Sequence, residues 1–110
     1  MPKFIYLYKG AASDPASMSE EQSNEVMRQW NAWYGKLGDA IKDGGAPFAP
    51  GASVKDNGSA GTAAEMTGYT VIEAANMEAA KAATAGHPFL SDNDGKFAID
   101  IFELMDLPGM

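Results

Sequence analysis

Along residues 3–10, "KFIYLYKG", Phe4, Tyr6 and Tyr8 fall on one side of an extended chain, and Ile5 and Leu7 on the other. Both sides are apolar or amphipathic, which predicts a strand covered on both faces. A polar, turn-rich loop follows, "AASDPASM". From Ser19 the period changes. Val26, Met27, Trp30, Trp33, Tyr34 and Leu37 recur at intervals of three and four, which predicts a helix within 19–38. Ser19 and Gln22 have the spacing of a capping box. Glu20 and Glu21 suit the positive end of the helix dipole. Lys36 and Gly38 are stop signals.

The middle of the chain lacks a clean period. Residues 39–65 are dense in glycine and carry Pro47 and Pro50. They predict an irregular second strand within 40–54, then a mobile tip around "DNGSAG". In "MTGYTVIEAA", Tyr69, Val71 and Glu73 alternate with Thr70 and Ile72, which predicts a strand. "NMEAAKAATAG" predicts a second helix with Asn76 as N-cap and Gly86 just past its end. Its face is mostly alanine, so it can approach a sheet closely. Pro88 stops it. "KFAIDIFEL" is the last strand, and "MDLPGM" is a tail.

The order is βαββαβ. That is the ferredoxin-like, α+β arrangement, a four-stranded antiparallel sheet with two helices on one face. One domain spanning 1–110 is expected. Two helices can cover only one face, yet both faces carry apolar side chains. Leaving one wet forfeits several kcal/mol at about 25 cal/mol per Å². A homodimer with the open faces meeting is the expected solution.

Composition narrows the partners. The formal net charge is −7, which repels phosphate backbones, so no nucleic acid partner is expected. Anionic membrane surfaces are disfavoured in the same way. The first apolar run is too short for a signal peptide or a membrane span, and a cytoplasmic location is expected. There are no cysteines, which removes thiolate chemistry and cysteine-ligated metals. A single histidine and no helix-spaced ligand set give no metal site. The glycines match no phosphate-binding fingerprint. No cofactor is expected.

"FIYLY", then "TGYTVIEAANMEAAKAATAGHPF", then a β-rich end resemble the YCII-related family, in particular its DGPF branch. The matching elements are Gly68–Tyr69, Glu73–Ala74, Asn76 to Ala79, and His87–Pro88. The resemblance implies a dimeric α+β barrel. The family's Asp-Gly-Pro-Phe motif is replaced by "VKDNGSAGTAAE", where Asp56 and Glu65 stand as counterparts of its acids. "DGGAPF" at 43–48 is read as the end of the second strand. YciI-like members are proposed to use a histidine on the first helix; Met27 stands there in this chain, so that histidine–aspartate pair does not carry over.

Candidate chemistry centres on His87. With an ordinary pKa near 6.5 it suits general acid–base work, and Asp92 or Asp100 is the acid to pair with it. Asp94 shares that turn. The alternative is that His87 closes the second helix against its terminal carbonyls. A nucleophilic Ser91–His87–Asp92 set is too compressed in sequence to work. Asp100 stands within an apolar strand, where a carboxylate is either paired or functional; a solvated edge is the plainer reading. Trp30, Trp33 and Tyr34 form an aromatic patch that lines either a ligand pocket or the core. Tyr6 and Tyr8 share a sheet face; their hydroxyls bind a substrate carbonyl or phenol if that face lines the barrel, and otherwise find structural partners.

The functional reading is a small-molecule-binding protein with its pocket at the dimeric barrel. It would be a cofactor-free lyase-type enzyme with ligand contacts at Tyr6, Tyr8, Trp30 and Tyr34. A non-catalytic sensor module and a cofactor-independent monooxygenase are the alternatives, the last by fold analogy alone.

Overall fold

The computed structural model describes residues 1–10, 19–90 and 95–105. The elements are β1 (Lys3–Lys9), α1 (Glu20–Leu37), β2 (Ile41–Asp43), β3 (Ser53–Val54), β4 (Ala60–Gly61), β5 (Met66–Glu73), α2 (Met77–Ala82) and β6 (Ala98–Leu104). Short 3-10 turns at Gly38–Ala40 and Pro88–Leu90 lead out of the two helices. The main sheet has the order β2-β5-β1-β6 with all neighbours antiparallel. This is the ferredoxin-like α+β arrangement expected from the sequence.

The alternation in β1 and β5 decides which face is dry. Phe4, Tyr6 and Tyr8 are buried with Gly68, Thr70 and Ile72. Trp33 from α1 and Ala80 from α2 close the core over them. Tyr6 and Tyr8 therefore point into the helix layer, away from the open face. Alanine at position 80 lets α2 sit directly on the sheet, and Tyr6 Oη donates to the Ala80 carbonyl at 2.5 Å.

Helix α1 starts as its capping box predicts. Gln22 N–H donates to Ser19 Oγ at 3.1 Å, and Ser19 N–H donates to Gln22 Oε1 at 2.9 Å. Its apolar stripe is used only in part. Trp30, Trp33, Tyr34 and Leu37 pack against the core, whereas Val26 and Met27 are exposed. Among the described residues, the tertiary hydrogen bonds of α1 come from its last two turns: Trp33 Nε1–H donates to the Ala83 carbonyl, Lys36 Nζ to Ala85 and Tyr34 Oη to Gly44, each at 3.0 Å. Helix α2 itself ends at Ala82 rather than near Gly86, and a turn carries the chain to Gly86 at φ +76°.

The irregular second strand is shorter than 40–54. Only Ile41–Asp43 joins the sheet, followed by a single bridge from Pro47 to Gly68. Pro47 has no N–H to donate, which an edge strand tolerates. Phe48 N–H then donates to the Thr67 carbonyl at 2.8 Å. "DGGAPF" thus continues β2 along β5. Gly45 makes that possible: at φ +79°, a Cβ there would lie 1.6 Å from the Tyr69 carbonyl oxygen.

The segment expected as a loop tip is a hairpin. β3 pairs with β4, and Gly58 turns the chain at φ +86°. The pairs Asp43–Val71, Pro47–Gly68, Ser53–Gly61 and Val54–Ala60 keep nearly one register throughout. β2–β3 and β4–β5 are therefore two halves of one long ribbon, interrupted at 49–52 and 62–65. Just past β1, Gly10 N–H donates to the Glu65 carbonyl at 3.3 Å. Beyond that point the ribbon overhangs the main sheet.

The second face of the sheet is open. Ile5 and Leu7 of β1, Tyr69 and Val71 of β5 and Phe102 of β6 share it, by the strand alternation and register. Phe102 is 56 % exposed. Two ion pairs flank this apolar strip, Lys9–Asp100 at 3.3 Å and Lys42–Glu73 at 3.5 Å. Among the described residues no helix is long and apolar enough to cross a membrane.

Candidate active site

The turn after α2 delivers His87 into the core. Its backbone N–H donates to the Thr84 carbonyl at 2.9 Å, and the 3-10 turn at Pro88–Leu90 begins immediately after it. The side chain is 2 % exposed. Its ring sits among Trp33, Trp30 and Tyr8, with centroid separations of 4.2, 4.7 and 5.1 Å. The helix-closing role does not use the imidazole as expected, because the ring turns inward instead of towards the terminal carbonyls of α2.

Hydrogen bonding fixes the tautomer. The backbone N–H of Phe89 donates to His87 Nδ1 at 3.1 Å, so Nδ1 carries the lone pair and Nε2 the proton. Nε2–H then donates to Tyr8 Oη at 3.0 Å. The Tyr8 hydroxyl is left to donate to Thr70 Oγ1 at 2.7 Å. Thr70 donates onward, weakly, to the Gly44 carbonyl at 3.4 Å, and that oxygen also accepts from Tyr34 Oη. A directed chain runs from the amide of Phe89 through His87, Tyr8 and Thr70 to Gly44. Among the described residues no buried side-chain polar atom lacks a partner.

Burial sets the charge states. The aromatic surround pushes the His87 imidazole down to about 4, so the ring is neutral near pH 7. Burial pushes the Tyr6 phenol up to about 12. Tyr8 is raised further by the same cause, against a lowering influence from its bond to Thr70. In this arrangement Tyr8 is a hydrogen-bond donor at any physiological pH. His87 donates through Nε2, and its lone pair is engaged by the Phe89 amide.

Of the residues singled out in the sequence, His87, Tyr8, Trp30 and Tyr34 come together. Trp30 lies edge-on to both His87 and Tyr8 and tilts against Tyr34. Trp30 and Tyr34 are half-buried, so they form the outward wall of the cluster. Tyr6 lies on the same face, but its hydroxyl is taken by the backbone of α2. Asp100 is elsewhere: it stands opposite Leu7 on the open face and pairs with Lys9, while its neighbours Ile99 and Ile101 turn towards the core. It does not meet His87. Asp92 and Asp94 lie outside the described residues.

Thr70, Phe89 and Gly44 complete the cluster and were not evident beforehand. Phe89 packs on Tyr8 at 5.0 Å and on Phe97 at 5.2 Å. Thr70 left a trace, since it is a polar residue at a core-facing position between Gly68 and Ile72. Nothing in the sequence marks the Gly44 carbonyl. Among the described residues no group of three acids or histidines is placed to hold a metal ion.

No family model and no curated protein matches this chain. Among solved structures, the chain is similar to 5-chloro-2-hydroxyhydroquinone dehydrochlorinase (TftG) from Burkholderia phenoliruptrix AC1100, in complex with 2,5-dihydroxybenzoquinone. The TM-score is 0.53 at 18 % identity, over 96 % of this chain and 94 % of that one. At this identity the likeness is one of fold. The shared architecture is the ferredoxin-like α+β arrangement of a four-stranded antiparallel sheet with two helices.

Proposed function

We propose that this chain is a homodimeric α+β barrel protein of the YCII-related type that binds a small planar, oxygen-bearing molecule against the Trp30–Tyr34 wall. The observation that carries this reading is the directed chain His87–Tyr8–Thr70 beneath half-buried aromatic rings. A core of this size has no need of a histidine, and burying one neutral costs stability at acid pH. Flat aromatic walls with one oriented hydroxyl suit a phenol, quinone or keto acid. The quinone bound by the structural neighbour belongs to that chemical class.

The chemistry proposed is lyase-type and cofactor-free. Tyr8 and Thr70 are buried behind the Trp30–Tyr34 wall, so the scheme has that wall open for a ligand oxygen to take the place of Thr70 as acceptor from the Tyr8 O–H. Donation from His87 to Tyr8 Oη makes the phenol a stronger donor, because hydrogen bonds in a chain polarise one another. His87 is thus a positioning residue in this scheme. Asp92, close to it in sequence, is the proposed acid–base partner. Asp100 belongs with the dimer face. Dimerisation through that face is supported by the apolar strip of Ile5, Leu7, Val71 and Phe102.

Calorimetric titration with 2,5-dihydroxybenzoquinone, hydroxyhydroquinones and aromatic keto acids tests the reading, alongside the His87 ring-proton resonances. Binding is expected to shift those resonances, and Tyr8→Phe is expected to weaken it at least tenfold. No heat and no shift across the panel would sink the proposal. A second reading, a non-catalytic sensor module, is favoured by the engagement of the His87 lone pair. It predicts the same binding without turnover of any ligand.

A further inference from the structure

The overhanging ribbon has no partner within the described chain that explains its persistence. β3 and β4 form a separate sheet of only two strands with two residues each. An isolated two-stranded hairpin is marginal in water. Residues 49–56, at strand rise, carry the tip up to roughly 25 Å past the last main-sheet pair. Val54, in this overhanging arm, is 78 % exposed. Both edges of the ribbon present backbone groups that can pair or pack.

The place where the ribbon leaves the sheet points to its partner. Phe48 stacks on Tyr69 at 5.8 Å with the rings 20° apart. Tyr69 is on the open face, and its hydroxyl donates to Asp43 Oδ2 at 3.0 Å. The root of the arm is therefore anchored on the same face as Ile5, Leu7 and Phe102. A copy of this chain seated on that face lies beside the arm from the outset.

We infer that the 49–65 ribbon is a clasp, reaching from each copy onto the body of the second copy and packing there through Val54. This rests on the proposed dimer and adds to it a contact outside the two sheet faces. The small residues along the arm, Ala49, Ala52, Ala60 and Ala63, let its backbone lie close against another surface. The ribbon resumes nearly the same register after its interruption, so β3 and β4 continue the line of β2 and β5.

Sedimentation velocity over a dilution series tests the clasp, with the wild type, Val54→Asp, and a variant in which 53–61 is replaced by a short turn. Val54 is exposed and the hairpin lies outside the core, so both variants are expected to keep the wild-type circular dichroism. The wild type is expected to be a dimer, and both variants are expected to dissociate at concentrations at least tenfold higher. A wild-type dimer whose dissociation constant is unchanged in both variants overturns the clasp and leaves the sheet-face dimer standing. A monomeric wild type overturns both. Amide exchange gives an independent check: the Lys55 and Ser59 amides should gain protection as wild-type concentration rises through the dimerisation range, and protection independent of concentration would contradict the clasp.

Discussion

The hydroxyl of Tyr8 and Nε2 of His87 lie 3.0 Å apart, joining the first strand to the turn after the second helix. The bond is buried at both ends, and the Tyr8 oxygen also meets Thr70. Replacing Tyr8 by Phe removes one oxygen and strands two polar groups. At about 1–3 kcal/mol for a buried donor or acceptor left unpaired, Tyr8→Phe is expected to lower the thermal midpoint by roughly 4–15 °C for a domain of this size. Calorimetry or thermal circular dichroism reads it directly.

His87 makes stability depend on pH in a defined window. The unfolded imidazole binds its proton near pH 6.5 and the folded one only near 4. Above about 6.5 both states are neutral and the group contributes no slope. As pH falls from 6.5 towards 4, the unfolded state takes up a proton that the folded state refuses, so stability drops, by about 3 kcal/mol across the window. Below 4 the slope vanishes again. Urea midpoints for wild type and His87→Gln between pH 7.5 and 4 isolate the histidine from the carboxylates. The wild type should lose more stability on acidification than the variant; parallel curves would contradict the assignment.

Gly45 is held at φ +79° against the Tyr69 carbonyl. Gly45→Ala adds both strain and a backbone clash, and it should cost about 3 kcal/mol. The lesion should be local, with amide exchange rising first along Ile41–Phe48. Gly44→Ala provides the control, because a Cβ there meets nothing within 4 Å.

Phe102 lies on the open face, opposite Ile5 and more than half exposed. If that face joins two copies, Phe102→Asp places a charge in the middle of the joint and should yield a monomer by light scattering, with the fold retained. A wild type already monomeric at micromolar concentration would remove the dimer reading.

Ser19 is the acceptor of the box that opens α1. Ser19→Ala should cost about 1 kcal/mol, and Gln22→Ala should reproduce part of it. Both are measurable as urea midpoints.

The sequence carried the sheet and the start of α1 because their signals are local. Alternation in Phe4–Tyr8 and Tyr69–Glu73 states which side chains share a face, and Ser19 with Gln22 states where a helix begins. It misled where the outcome depends on what packs opposite. Val26 and Met27 continue the helical stripe, yet they are exposed rather than packed on the core. Gly86 has the positive φ of a helix terminator, but the helix stops earlier, at Ala82. The ribbon was hidden because its pairing is interrupted by Pro50 and Gly51 and shows no period. At the site, the aromatic members were legible as a patch and His87 as its polar candidate. The direction of the imidazole was not, since it depends on the Phe89 backbone amide, which every residue but proline possesses. Asp100 looked like a misplaced acid only because the strand's two faces cannot be told apart until its register with Leu7 is known.

Strand β1 sits in the middle of the main sheet, with Lys3 facing Glu73 on one side and Leu104 on the other. β1 thus precedes both of its neighbours, β5 and β6, in the order of synthesis. Until β6 has been synthesised, Phe4, Tyr6 and Tyr8 have no complete sheet to join. Closing the sheet then requires contacts between its first and last strands, far apart in sequence, the kind that slow folding most. Until β6 is made, this domain should therefore stay open to proteases and chaperones, and it can lock shut only afterwards.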